Sequence, residues 1–330
     1  MEVGDDWVIC YPEYPNISCW SPPSTWAETL FINITLYSIS VLTAVLNLLI
    51  IISVSVFRQL HTPTNILLLS LAVSDFLVGL LVMPVDALQR TQCWLFGDLF
   101  CSLFRFVSYI ISSASVINMV LISVDRYVAI CDPLHYTTRI TVNRVKVCVC
   151  LVWFCTVVFN SVHFNLHLSQ QQENNDPCYG LCPAVSDNTA ADLQLVLHFI
   201  VPVSTIVVLY TRIFVVAVSQ ARAMRSHITT VTKQISVTKT AKKSELKAAR
   251  TLGVLVVVFL MCFTPTYFVS MGGYDSMSYS TLYFIVYLYN FNSCLNPVIY
   301  ALFYPWFRKT VKLIVSLQIL QPGSCEANIL

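Results

Sequence analysis

The chain has 330 residues, of which 56% are hydrophobic and only 11% charged, with a formal net charge of +2. Soluble domains carry roughly 25% charged residues, so this composition excludes an ordinary soluble protein. It gives no basic surplus that would call for a nucleic-acid partner.

Apolar residues gather at 30–56, 66–89, 97–130, 143–165, 191–218, 248–272 and 280–302, each close to the ~20 residues that cross a bilayer core. The expected fold class is an all-α membrane protein, a seven-transmembrane helix bundle with a short amphipathic eighth helix. Residues 1–28 form an N-terminal tail, 29–303 the transmembrane domain, and 304–330 the amphipathic helix and tail. Of the 19 Lys and Arg, only Arg90 and Arg105 fall toward the side holding the N-terminus. The positive-inside rule therefore predicts a multi-pass plasma-membrane protein with its N-terminus extracellular and its C-terminus cytoplasmic.

The tail begins with acidic residues and lacks an apolar core, so no cleavable leader is expected. Asn16-Ile17-Ser18 is a glycosylation sequon on the exterior side, whereas the sequon at Asn33 lies inside the first span and is expected unmodified. Span two carries Asp75, and eleven residues on, three turns of an ideal helix, Asp86 returns to nearly the same face. Pro84 stands between them and is expected to shift that estimate. In span three, Arg105, Ser108, Ser112 and Ser115 recur at helical spacing, and Asp125-Arg126-Tyr127 closes the span at its cytoplasmic end.

Cys178 and Cys182 in the next exterior loop lack a nearby His, so a zinc site is not expected. Cys10, Cys19, Cys93, Cys101, Cys178 and Cys182 all lie on the oxidising side. Six cysteines allow fifteen pairings, and spacing alone does not choose among them. Span five places Gln194 and His198 one turn apart, with Asp192 about 200° around the helix from a shared face. Residues 219–246 form a basic interior loop, either a solvated surface or a partner-receiving extension. Glu245 follows at the cytoplasmic start of span six, which also carries Phe263, Pro265, Thr266 and Tyr267. Span seven holds Asn290, Asn292, Ser293, Asn296 and Pro297. Beyond Pro305, Phe307, Val311, Ile314 and Val315 are expected toward lipid, with Arg308, Lys309 and Lys312 toward phosphates. Cys325 is a palmitoylation candidate by position.

An ionised side chain at the bilayer centre costs at least ~2.5–3.5 kcal/mol, so Asp75 needs a reason. Together with Asn47, Ser115, Asn292, Ser293 and Asn296 it either ties helices together or forms a small polar cavity for a hydrated cation. Asp125, Arg126 and Glu245 can hold two helices at one face, and their separation would open a cleft. Asp75 has no second acid at catalytic spacing, so an enzyme is not expected. No internal repeat supports a transporter.

Asn47, LAVSD at 71–75, DRY at 125–127, Trp153, Phe199-x-x-Pro202, Phe259 to Pro265 and NPVIY at 296–300 resemble the rhodopsin-like G-protein-coupled receptors. Span seven lacks the lysine that an opsin uses to hold retinal. The ending NSCLNPVIYALFYPWFRK, the CYGLC loop and the early Cys10 and Cys19 resemble the trace amine-associated receptors. That resemblance implies disulfides Cys101–Cys182 and Cys10–Cys178, with Cys19–Cys93 a further pairing. It implies a partner-contacting switch at Arg126 with Asn296, Pro297 and Tyr300, and an allosteric sodium site of Asp75, Ser115, Asn292, Ser293 and Asn296 as the one ion expected. It further implies small-molecule ligands, coupling to a stimulatory G protein with cyclic AMP as messenger, and olfactory expression.

The sequence departs from that pattern in the ligand pocket. The Asp that receptors of this class place eighteen residues before the DRY arginine is Ser108, and the alternative acid eight residues before Pro202 is Gln194. Phe263 replaces the usual span-six Trp, and Asn290 stands where amine receptors carry Tyr. The expected pocket comprises Asp86, Arg105, Ser108, Tyr109, Ser112, Gln194, His198, Phe263, Thr266, Tyr267 and Asn290. In one reading Asp86 or Asp192 receives a cationic ligand. In a second Arg105 binds an anionic or zwitterionic ligand, with Asp86 taking its ammonium. In a third Arg105 and Asp86 pair structurally around a neutral ligand or none, and a silent partner receptor is a further alternative.

Overall fold

The computed structural model describes residues 8–15, 18–21, 26–91, 93–171, 180, 182, 193, 195–228, 253–269, 279–321 and 329. Asn16, Cys178, Asp192, Gln194, Glu245 and Cys325 lie outside the described residues.

The described chain is a helical bundle with one two-stranded hairpin. Strand β1 (Val8–Ile9) pairs antiparallel with β2 (Trp20–Ser21). The spans follow as α1 (Trp26–Val56), α2 (Pro63–Leu77) continued by α3 (Met83–Thr91), α4 (Gly97–Cys131) and, after the short α5 (Pro133–Arg139), α6 (Val142–Gln171). Then come α7 (Val201–Ile228), α8 (Gly253–Val269) and α9 (Tyr279–Phe303), with α10 (Pro305–Val315) turning off the end of α9. Val41, Val45, Leu151, Phe154, Val158, Val208 and Phe214 are exposed large apolar side chains on the outward faces, as expected where lipid is the solvent.

Two spans are built to the same irregular plan. Val78–Val82 joins α2 to α3 as a π turn, and Val196–Ile200 precedes α7 as another. Each begins six residues and ends two residues before a proline, Pro84 and Pro202. Proline cannot donate to the i−4 carbonyl and its ring crowds that carbonyl, and a wider turn upstream relieves the clash. The Gly79 carbonyl inside the first π turn is taken by Ser40 of α1 at 2.6 Å. Gly79 is required there, because a Cβ would come within 2.7 Å of the Ala44 backbone nitrogen.

Buried side chains stitch the spans together. Asn47 donates to the Ser293 carbonyl at 3.0 Å, joining α1 to α9, and Trp153 donates to Ser70 at 3.2 Å, joining α6 to α2. Helix α10 departs from the lipid-facing expectation. Phe307, with Trp306, packs into the bundle core, and Thr310 bonds Ser53 at 2.8 Å. Arg308 donates to the carbonyls of Ala301 and Leu302 at 2.8 and 3.0 Å, capping the C-terminus of α9 where a cation is favoured. Arg308 is thus tied to backbone instead of phosphate.

At the opposite end from α10, Cys101 is bonded to Cys182, with Cα atoms 5.5 Å apart. The expected Cys10–Cys178 pairing is not formed. Cys10 is bonded to Cys93, with Cα atoms 5.6 Å apart, and that excludes Cys19–Cys93 as well. Cys19 is disulfide-bonded to a residue outside those described. The local cause is a three-way junction. The Tyr11 hydroxyl donates to the Trp94 carbonyl at 3.3 Å, and the Trp94 amide donates to the Gly180 carbonyl at 2.9 Å. Gly180 has φ +109°, and a Cβ there would lie 2.5 Å from the Cys10 Cβ. The hairpin, the α3–α4 loop and Gly180 therefore meet at one point, and Cys93 is the cysteine within reach of Cys10.

Candidate functional site

Three polar layers lie along the bundle. In the layer at the α10 end, Arg126 donates from Nε to Asp125 Oδ2 at 2.9 Å and also bonds Thr64. The Thr64 hydroxyl donates to Asp125 Oδ2 at 2.9 Å, and the Tyr136 hydroxyl to Oδ1 at 2.9 Å. Span two and α5 thus lock the switch residue through side chains that the sequence did not single out. Burial and the Asp125 charge both push the Tyr136 phenol up, so it remains a donor. Next to it, Asp132 pairs with His135 and Arg139. The His135 hydrogen bond, followed by the charges of His135 and Arg139, holds its carboxyl below the usual range. Tyr127 packs with Ile130 and Ile213.

The middle layer centres on Asp75, which is fully buried. Ser293 donates to Oδ1 at 2.8 Å and Asn296 to Oδ2 at 2.7 Å. Ser115 and Asn292 are also buried, and the side-chain oxygens of Asn292 and Asn296 have no hydrogen-bond partner. These atoms are the oxygen donors that a small hard cation uses. One turn further, Tyr300 is buried with its hydroxyl likewise unbonded, as is that of Tyr210, and its ring stands edge-on to Tyr304 at 6.0 Å.

The third layer, toward the disulfides, is the candidate ligand pocket. Asn290 Nδ2 donates to Asp86 Oδ2 at 2.8 Å, joining span seven to span two. Arg105 Nη2 donates to the Cys182 carbonyl at 2.6 Å and to Gln89 Oε1 at 3.2 Å. Among the described residues the ion pairs are Arg126–Asp125, His135–Asp132 and Arg139–Asp132. The expected structural pair Arg105–Asp86 is therefore not formed, because Arg105 is drawn to the loop carbonyl and Gln89 while Asp86 is drawn to Asn290. The vacated anchor Ser108 has a buried hydroxyl with no partner.

Aromatic rings form the pocket floor and wall. Phe263 stacks on Phe259 at 4.1 Å and tilts against Tyr289 at 4.3 Å, while Phe199 stacks on Tyr267 at 4.2 Å. Ser112 is hydrogen-bonded by Tyr289. His198, inside the span-five π turn, meets Ser113 at 2.6 Å. Ser113 spends its one hydrogen on the Tyr109 carbonyl at 2.7 Å and accepts from Asn160 at 3.3 Å. His198 therefore presents Nε2–H to it. Tyr109 and Thr266 each have further interactions within this region. Gln89, Ser113, Asn160 and Tyr289 extend the expected set. Only Gln89 had a sequence signal, lying three residues after Asp86 on the same helix.

The chain matches the family 7 transmembrane receptor (rhodopsin family) over residues 46–300. It is 36% identical over 335 residues to trace amine-associated receptor 13c of Danio rerio, covering 97% of this chain and 96% of that protein. It is 36% identical over 324 residues to trace amine-associated receptor 1 of Mus musculus, covering 93% and 95%. It is 35% identical over 333 residues to trace amine-associated receptor 8c of Rattus norvegicus, covering 97% and 96%.

Proposed function

The chain belongs to the trace amine-associated receptors of the rhodopsin family, and we propose that it is a chemosensory receptor whose ligand carries an ammonium group held by Asp86. A protein of this family is a multi-pass G-protein-coupled receptor of the plasma membrane and not an enzyme. In our reading the disulfide-bearing end is extracellular, Asn16 is glycosylated, and the α10 end meets a stimulatory G protein that raises cyclic AMP in olfactory neurons.

The observation that carries the pocket assignment is the Asn290–Asp86 hydrogen bond. In the amine-receptor pattern the acid sits on span three and a span-seven Tyr supports it. Here the acid sits on span two and Asn290 supports it, while Ser108 leaves its hydroxyl unbonded. A buried carboxylate with one neutral donor still lacks a counter-ion, and an ammonium supplies it.

Asn290 also gives the signal a route. Asn290, Ser293, Asn296 and Tyr300 recur along one side of α9. Ser293 and Asn296 are the two residues that hold Asp75. A ligand that draws Asp86 away from Asn290 frees the upper end of a helix whose middle grips Asp75 and whose lower part carries Pro297 and Tyr300. Sodium held by Asp75, Ser115, Asn292, Ser293 and Asn296 would favour the gripped arrangement, and its loss together with release of Arg126 would admit the G protein.

A cyclic AMP assay in transfected cells across mono-, di- and polyamines and amino acids tests the assignment. Asp86→Asn removes a charge-assisted bond of ~1.5–3 kcal/mol, so potency should fall by about tenfold to a hundredfold. Ser108→Asp should confer responses to simple amines that the wild type ignores. Unchanged potency in Asp86→Asn would refute the assignment, and silence toward every ligand at normal surface expression would favour the partner-receptor alternative.

A further inference from the structure

Resting on the reading that Asp86 receives an ammonium, we infer that the ligand is a zwitterion, an α- or short ω-amino acid whose carboxylate is bound by Arg105. The pocket holds one carboxylate and one guanidinium that do not bond each other. Asp86 accepts one hydrogen bond, from Asn290 on Oδ2, and Oδ1 takes none from any described residue. Arg105 spends Nη2 on two neutral acceptors, the Cys182 carbonyl and Gln89 Oε1, and its Nε is buried with no partner. Its guanidinium carbon lies 5.8 Å from the centre of the Phe104 ring, which adds no charge.

A guanidinium withdrawn from water without an anion is unfavourable, and a carboxylate matches its planar donors better than any neutral group does. Gln89 completes the anion side. Its oxygen accepts from Arg105, and its amide nitrogen is buried with no partner, a further donor for a carboxylate oxygen. The spacing sets the ligand's size. Gln89 is three residues from Asp86 on α3, which puts their side chains about 5–6 Å apart at the root, and the Arg105 donor is 3.2 Å from the Gln89 oxygen. Two poles about one helical turn apart suit an ammonium and a carboxylate separated by one to three carbons. A plain amine would satisfy Asp86 while placing its positive end near an uncompensated Arg105. That penalty is absent for the amino acid.

The test varies the ligand first and the receptor second, in cells whose surface receptor is quantified by an N-terminal epitope tag. Glycine, β-alanine and γ-aminobutyrate are compared with their methyl esters and with the corresponding alkylamines in the cyclic AMP assay. On wild type, at least one acid should be more potent than its ester by about tenfold or more. Arg105→Gln should erase that difference, Arg105→Lys should retain part of it, and Asp86→Asn should weaken acid and ester alike. Esters and amines that equal or exceed every acid on wild type, with Asp86→Asn still deleterious, would overturn the zwitterion while leaving the ammonium site standing. An acid that activates Asp86→Asn with unchanged potency would overturn both, as would silence of wild type toward the whole panel.

Discussion

Arg126 is held by one carboxylate, and that carboxylate is itself held by Thr64 and Tyr136. The restraint is therefore shared among three elements, and weakening any of them should shift the receptor toward its active arrangement. Tyr136→Phe removes one hydrogen bond to a charged group, ~1.5–3 kcal/mol, and is expected to raise basal cyclic AMP severalfold at equal surface expression. Thr64→Val should do the same. Basal output at or below wild type in both would mean that these bonds do not restrain the switch. At Asp75 the expected signature is ionic. Replacing external sodium by a large organic cation should raise agonist potency in wild type and have no effect in Asp75→Asn. The acid, the hydroxyl and the amides of this layer were legible in the sequence because polar residues inside apolar runs stand out. Thr64 and Tyr136 were not, since a Thr and a Tyr near a membrane face have ordinary uses everywhere.

At the scale of elements, helical spacing predicted which side chains share a face but not which helix lies opposite. Asp86 and Asn290 each drew notice as departures from a pattern, yet their bond is a property of how α3 leans on α9. Arg105 and Asp86 carry opposite charges on adjacent spans, and the spacing allowed a pair. The loop carbonyl of Cys182 intervened instead. Phe307 and Arg308 misled for a related reason: an amphipathic pattern marks an apolar side without saying whether lipid or protein covers it. Close packing at Gly79 offers a direct check on the α1–α2 contact. Gly79→Ala must push against backbone at 2.7 Å, a cost of about 1–3 kcal/mol by overpacking. Surface expression and thermal stability in detergent should drop clearly, and a variant indistinguishable from wild type would rule out that approach.

Across the whole molecule the arrangement of seven spans was readable from length and charge, because the bilayer fixes the length of each span and leaves few choices. The covalent ties were not, because cysteine pairing depends on where Gly180 and Trp94 bring the tail. If Cys10 and Cys93 are partners, Cys10→Ser and Cys93→Ser should reduce ligand potency and surface stability by similar amounts. The double variant should be no worse than either single one, the signature of two residues acting as a unit. Additive losses would contradict the pairing. With Cys101–Cys182 alongside, the tail and two loops form one cross-linked cap, and Cys182 reaches from it to Arg105.

The paired π turns before Pro84 and Pro202 make this receptor sensitive to deletion in a way that substitutions do not reveal. A π turn closes each hydrogen-bonded ring with one residue more than an α turn, so removing a single residue from 78–82 would let the helix run on as ordinary α-helix with its ends nearly unmoved. Everything beyond would turn by about 100°, carrying Asp86 off Asn290 and Gln89 off Arg105 together. Loss of one codon there would re-aim the pocket without altering any residue that lines it, so receptors of nearly identical sequence could part company in ligand choice through length alone.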